Sequence, residues 1–129
     1  MEITIDTHAL IWWIDETLNK KLSKKAQKII IEAEETGIIY IPIIVLMETL
    51  HLIERGKCAL IFKNLLANIE NSDNYKIIPF DTKLLKIVET IKGLEAHDRI
   101  VVATALVTNS PLISKDMEIA KIKGIKVVW

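Results

Sequence analysis

GIIYIPIIVLMETLHLIER, residues 37–55, changes period in mid-stretch. Its first six residues are a short β-branched run of the kind that forms a buried strand, and the remainder spaces its few polar residues as a helix does. The helix is expected from Pro42 to Arg55, ended by Gly56. The same change recurs along the chain. Strand-like runs EITI, YKIIPF, PLIS and GIKVVW alternate with helical segments expected at Thr7–Ile14, Ser23–Glu35, Lys57–Ile69, Thr82–Ile91, Asp98–Val107 and Met117–Ile122. Ser23 is the N-cap and Gly37 the stop of the second of these. Such alternation predicts an α/β sandwich with a mostly parallel five-stranded sheet.

Glu48 lies in the middle of the helix of residues 42–55. Between Pro42 and Ile53 only Glu48, Thr49 and His51 interrupt the apolar residues, and no Lys or Arg stands within one helical turn of Glu48. With Ile44, Val45 and Leu52 at i−4, i−3 and i+4, its face is expected to point inward. An ionised carboxylate so placed costs several kcal/mol unless something compensates it. Three aspartates are placed comparably: Asp6 after EITI, Asp98 at the head of IVVATALV and Asp116 after PLISK. Each could be a helix N-cap, and Glu48 could pair with a distant cation. Two of the aspartates follow strands, where open α/β sheets bind ligands. Several carboxylates at one sheet edge repel one another unless cations are bound. An all-oxygen set selects Mg²⁺ or Mn²⁺, ions suited to phosphoryl chemistry by metal-activated water.

Composition narrows the alternatives. A chain of 129 residues suits one domain over residues 1–129, and 17 basic against 17 acidic residues give no global field for a polyanion. Such a partner must be held locally, by metal or by a patch such as Lys20, Lys21, Lys24, Lys25 and Lys28, which otherwise read as a solvated helix face. The single Cys58 excludes an internal disulfide and no Cys/His spacing suggests zinc. A cytoplasmic protein is expected, with no leader at MEITIDTHALIWWID and no apolar run near the ~20 residues of a membrane span. Asn71–Asn74 reads as a loop.

IDTHALIWWI, VLMETLHLIERGK, EAHDRIVVATAL and PLISKDMEIAKIKGIKVVW, in that order, resemble the PIN domain, specifically the VapC-type toxins of toxin–antitoxin modules. The resemblance spans essentially the whole chain, although Cys58–Glu89 is generic. It implies a PIN-like three-layer α/β/α sandwich, with Asp6, Glu48, Asp98 and Asp116 as the four acidic ligands. It also implies a metal-dependent endoribonuclease acting on tRNA, rRNA or mRNA and leaving a 3′-hydroxyl and a 5′-phosphate. A homodimer and a VapB-type antitoxin partner are implied with it. Where related toxins often have Asp-Pro-Phe-Asp-Arg, this chain has Glu95-Ala96-His97-Asp98-Arg99, so Glu95 is either an outer ligand or a solvated helix-start residue.

Around the acids, Thr7 and Ser114 are candidates to orient Asp6 and Asp116. Arg99 is a candidate for a phosphate, or else for an ion pair with Glu95 or Asp98. His8, His51 and His97 read as packing or surface residues. A helix turns Trp12 and Trp13 in different directions, one toward the core and one toward a surface or partner. Competing functions are a housekeeping RNA-processing PIN nuclease and a catalytically silent PIN scaffold. A phosphorylation receiver fits poorly, since it requires an acidic pair where Asp6 stands with Thr7 and His8.

Overall fold

In the computed structural model, which describes residues 1–129, the strand β1 (Glu2–Ile5) lies at the centre of the sheet. Ile3, Thr4 and Ile5 have no exposed surface, so both faces of the strand are covered, as a parallel sheet requires. The chain then runs through α1 (Thr7–Ile14), a 3₁₀ segment (Glu16–Lys21) and α2 (Lys24–Thr36) into β2 (Ile38–Pro42) and α3 (Ile43–Glu54). Next come α4 (Phe62–Glu70), β3 (Tyr75–Ile78), α5 (Thr82–Thr90), α6 (Ala96–Val107), β4 (Leu112–Ile113), α7 (Met117–Ala120) and β5 (Val127–Val128). All pairings are parallel, in the order β3-β2-β1-β4-β5, and helices flank the sheet as a three-layer α/β/α sandwich.

This order places a topological switch point beside β1. The chain builds outward on one side through β2 and β3, then crosses by α6 to build β4 and β5 on the other. Thr4 pairs with Leu112 and Ile5 with Ile113, so Asp6 and Ser114 emerge side by side from the carboxyl ends of neighbouring strands. A crevice opens where connections diverge in this way.

The core is built from strand residues Ile3, Ile5, Ile39, Ile41, Leu112 and Ile113, against Ile30 and Ala33 of α2 and Val102 and Ala103 of α6, all with no exposed surface. Each large aliphatic side chain buried in this way contributes roughly 1.5–3 kcal/mol. Ser23 caps α2 as expected, its hydroxyl accepting from the Ala26 N–H at 3.0 Å. At the other end Gly37 lies against the Met1 backbone: a Cβ there would sit 1.7 Å from the Met1 carbonyl oxygen. That close approach lets the Ile38 N–H donate to the same oxygen at 3.1 Å, tying the start of β2 to the start of β1.

Three local features differ from the sequence reading. The helix expected from Lys57 begins only at Phe62. Gly56 takes φ of 72°, and the Lys57 N–H turns back to the Leu52 carbonyl at 2.9 Å, which closes α3 and leaves residues 57–61 outside any helix. The helix expected to open at Asp98 starts at Ala96, with Glu95 in the capping position and no side-chain cap. The 3₁₀ segment was not anticipated. Asp15 caps it, accepting from the Thr17 N–H, and Asn19 holds it by donating to the carbonyls of Trp12 and Trp13.

Neither tryptophan of the Trp12-Trp13 pair is fully buried. Trp13 donates to the Tyr75 hydroxyl at 3.1 Å and to Glu34 at 3.0 Å. Burial, with the Glu34 carboxylate beside it, pushes the Tyr75 hydroxyl well above its ordinary range, so Tyr75 stays protonated. Trp12 turns the other way, toward the carboxyl edge of the sheet.

Candidate functional site

Asp6, Glu48, Asp98 and Asp116 all line one cleft of about 520 Å³, with Thr7, His8, Trp12, Ile44, His97, Lys115 and Trp129 among its other walls. Each carboxylate arrives there for a local reason. Asp6 ends the central strand and caps α1, one oxygen accepting from the Ala9 N–H at 3.0 Å. Asp116 follows β4 and caps α7, one oxygen accepting from Glu118 N at 2.8 Å and more weakly from Ile119 N at 3.4 Å. The capping alternative therefore holds for both, alongside their position in the cleft. It fails for Asp98, which lies in the first turn of α6 rather than at its cap. Glu48, in the middle of α3, is half-buried rather than enclosed, as are the three aspartates.

Two hydroxyls hold the set in place. The Thr7 hydroxyl, buried at the start of α1, donates to Glu48 and so ties α1 to α3. Ser114, also buried, accepts the Asp116 N–H at 3.1 Å. Its hydroxyl also acts on the Asp6 carboxyl, opposing the rise that burial causes.

No cation neutralises these acids. The molecule's sole ion pair within 4.0 Å joins Lys121 to Glu118, on the surface. Burial raises the Asp6 carboxyl above the ordinary carboxylate range, against the opposing pull of Ser114, the Ala9 amide and His8, with Asp98 adding to the rise. Asp98 is raised too, first by burial and then by the negative charges of Asp116, Glu95 and Glu48, with His97 pulling the other way. Two carboxyls raised by desolvation and mutual repulsion are groups on which a bound cation acts favourably.

The side chains alone do not form a closed ligand cage: no group of three or more His, Cys, Asp or Glu side chains is placed to hold an ion. The acids of the cleft are oxygen donors, the chemistry that Mg²⁺ or Mn²⁺ takes together with water and substrate oxygens.

Arg99 lies outside the cleft walls. Its Nη2 donates to the Val88 carbonyl at 2.8 Å, joining α6 to the last turn of α5, and its Nε is buried without a partner. It makes no ion pair with Glu95 or Asp98. Glu95 is exposed and acts on Asp98 only through its charge. Conversely, His8, His97, Trp12, Lys115 and Trp129 are cleft walls that the sequence reading did not place there. Proximity in the chain to Asp6, Asp98 and Asp116 was a signal for His8, His97 and Lys115; nothing local marked Trp129.

The PIN domain family model matches residues 3–125. The chain belongs to the PIN domain family. Among solved structures it resembles a VapBC2 complex from Rickettsia felis bound to a promoter DNA fragment, at TM-score 0.74 and 15% identity over 99% of this chain and 98% of that one. A toxin–antitoxin complex from Klebsiella pneumoniae matches at TM-score 0.69 and 20% identity, covering 98% and 96%. A sarcin–ricin-loop-cleaving VapC toxin from Mycobacterium tuberculosis matches at 0.62 and 15%, covering 96% and 98%. No curated protein matches significantly.

Proposed function

We propose that this chain is a Mg²⁺- or Mn²⁺-dependent endoribonuclease, the VapC-type toxin of a type II toxin–antitoxin module. The observation that carries the reading is the convergence of Asp6, Glu48, Asp98 and Asp116, without a cationic partner, on one cleft at the switch point of a PIN fold. The structural neighbours, which include VapBC complexes and an RNA-cleaving VapC, support the toxin form of the activity and a VapB-type antitoxin as partner.

Asp6, Glu48, Asp98 and Asp116 are the residues that would hold the ion. When bound, it supplies a positive charge that lowers the pKa of an attacking water and offsets charge on the scissile phosphate. Thr7 orients Glu48 and Ser114 holds the backbone of Asp116, so those acids are positioned before substrate arrives. Arg99 acts as a brace between α5 and α6. No side-chain nucleophile is required. The exposed apolar side chains Ile43 and Met47 of α3 support the homodimer or antitoxin contact expected of such a toxin.

The test is cleavage of a structured RNA pool by antitoxin-free protein in Mn²⁺, in Mg²⁺ and in chelator, read as discrete ends. Cleavage is expected only with metal, and Asp98→Asn should reduce it by at least about 100-fold, the scale on which removing one essential charge acts. Retained cleavage in Asp98→Asn removes Asp98 from the catalytic set, and absence of cleavage in wild type leaves the silent scaffold. A housekeeping nuclease would lack a small antitoxin gene beside its own.

A further inference from the structure

Trp12 lines the same cleft as the four acids yet is hydrogen-bonded to none of them by its side chain. Its indole is set by neighbours on two sides: Trp129 meets it edge-on, centroids 5.8 Å apart and planes at 63°, and His8, one turn back on α1, lies at 5.6 Å. Two ammonium groups converge on its ring, Lys21 Nζ at 5.7 Å and Lys115 Nζ at 5.9 Å from the centroid. Both lysines are exposed, and neither is in an ion pair. An indole with two unpaired cations over its ring, one of them Lys115 of the cleft that also holds the four acids, is matched to a ligand that alternates flat rings with negative charge.

We propose that Trp12, flanked by Lys21 and Lys115, is a nucleotide-binding subsite for single-stranded RNA, on which the base beside the scissile phosphate stacks while the two ammonium groups engage the adjoining phosphates. The proposal deepens the nuclease reading and rests on it for the position of the scissile phosphate. A base has the π-face that an indole stacks against, and in single-stranded or looped RNA it is free of its own neighbours. The exposed lysine ammonium now above the ring moves aside at small cost, because exposed cation–π contacts are weak.

The strand has a path beyond Trp12. Lys20 and Lys21 close the 3₁₀ segment, and Lys24, Lys25 and Lys28 stand exposed on the first turns of α2. In a chain with formal net charge +0, this strip and Lys115 are a local source of attraction for a polyanion. The platform thereby accounts for a role that the acids cannot take, since they repel the backbone they are to cut until cations bind. A protein partner could use the same indole as an anchor; the two cations on the ring favour RNA.

The experiment measures binding apart from cleavage. A fluorescently labelled ten-nucleotide single-stranded RNA of mixed sequence is titrated with antitoxin-free protein in chelator, with the same sequence as a duplex alongside, at several salt concentrations. Single strand is expected to bind better than duplex. Trp12→Leu should weaken it roughly 5- to 150-fold while Trp12→Phe retains most of the affinity. Lys21→Gln and Lys115→Gln should each lower the slope of log K against log salt by about 0.7. The lysines are exposed, so their variants read the site even if Trp12→Leu fails to fold. Equal binding of duplex and single strand, or an unchanged affinity in folded Trp12→Leu with unchanged slopes in the lysine variants, overturns the proposal. Loss of binding to a purified antitoxin with RNA affinity intact overturns it in favour of a protein-docking site. Metal-dependent cleavage that survives Asp98→Asn would instead remove Asp98 from the catalytic set while leaving the binding result standing.

Discussion

At the scale of single residues, the site keeps its carboxylates only partly satisfied. Asp6 and Asp116 spend one oxygen each on helix caps, Glu48 accepts from Thr7, and Asp98 has no hydrogen-bond partner to offset its desolvation. Asp98 has its pKa raised on folding, so its contribution to stability is fully present below the unfolded carboxylate pKa and is lost as pH rises through the folded one. Once ionised, it therefore opposes folding of the metal-free protein. Asp98→Asn should raise Tm in chelator at pH 7, and the difference from wild type should shrink as pH falls toward the ordinary carboxylate range. Thermal melts of both proteins across pH 4–8 check this; a lower Tm for the variant at pH 7 would mean that Asp98 is held by a favourable contact instead.

Among the elements, their ends decide where the chemistry-bearing residues point. Ser23 and Gly37 bound α2 as the sequence suggests, because a hydroxyl cap and a glycine stop are local devices. The start of α4 was not legible, since residues 57–61 carry apolar spacing compatible with a helix and only the turn at Gly56 separates them from α3. The start of α6 was placed two residues late because no capping side chain marks Glu95. Asp98 thus lies within the helix, and its carboxylate is left free for the cleft. Gly37 has a role at this scale beyond ending α2. Gly37→Ala puts a methyl into the Met1 carbonyl, where backbone rather than a movable side chain must yield. It should cost roughly 1–3 kcal/mol or more, read as a lower urea midpoint with the m-value unchanged.

For the molecule as a whole, the sheet order β3-β2-β1-β4-β5 brings residues from positions 6, 48, 98 and 116 to one edge. If these acids hold the proposed ion, binding it also stabilises the fold. Mn²⁺ should raise Tm of wild type by mass action, by the equivalent of about 2.7 kcal/mol at one hundred times its Kd, and much less in Asp98→Asn. Differential scanning calorimetry over a Mn²⁺ series checks it, and equal shifts in the two proteins would place the ion elsewhere. The family match over residues 3–125 agrees with this architecture.

The alternation of β-branched runs with helical spacing was enough to establish an α/β sandwich, because side-chain period is a local property of the backbone. The four acids stood out for a similar reason: a carboxylate in or beside an apolar run is costly wherever the chain goes. Arg99 beside Asp98 could be a phosphate contact or an ion-pair partner of Glu95 or Asp98; it makes no ion pair and donates to the Val88 carbonyl instead, while Trp129, at the far end of the sequence, packs edge-on against Trp12. Those outcomes depend on contacts between distant segments. Which acids share a cleft, which hydroxyl ties them and which aromatic ring stands beside them were decided only when the sheet ordered its strands, since long-range packing is set by the whole core and is not written in any one stretch of residues.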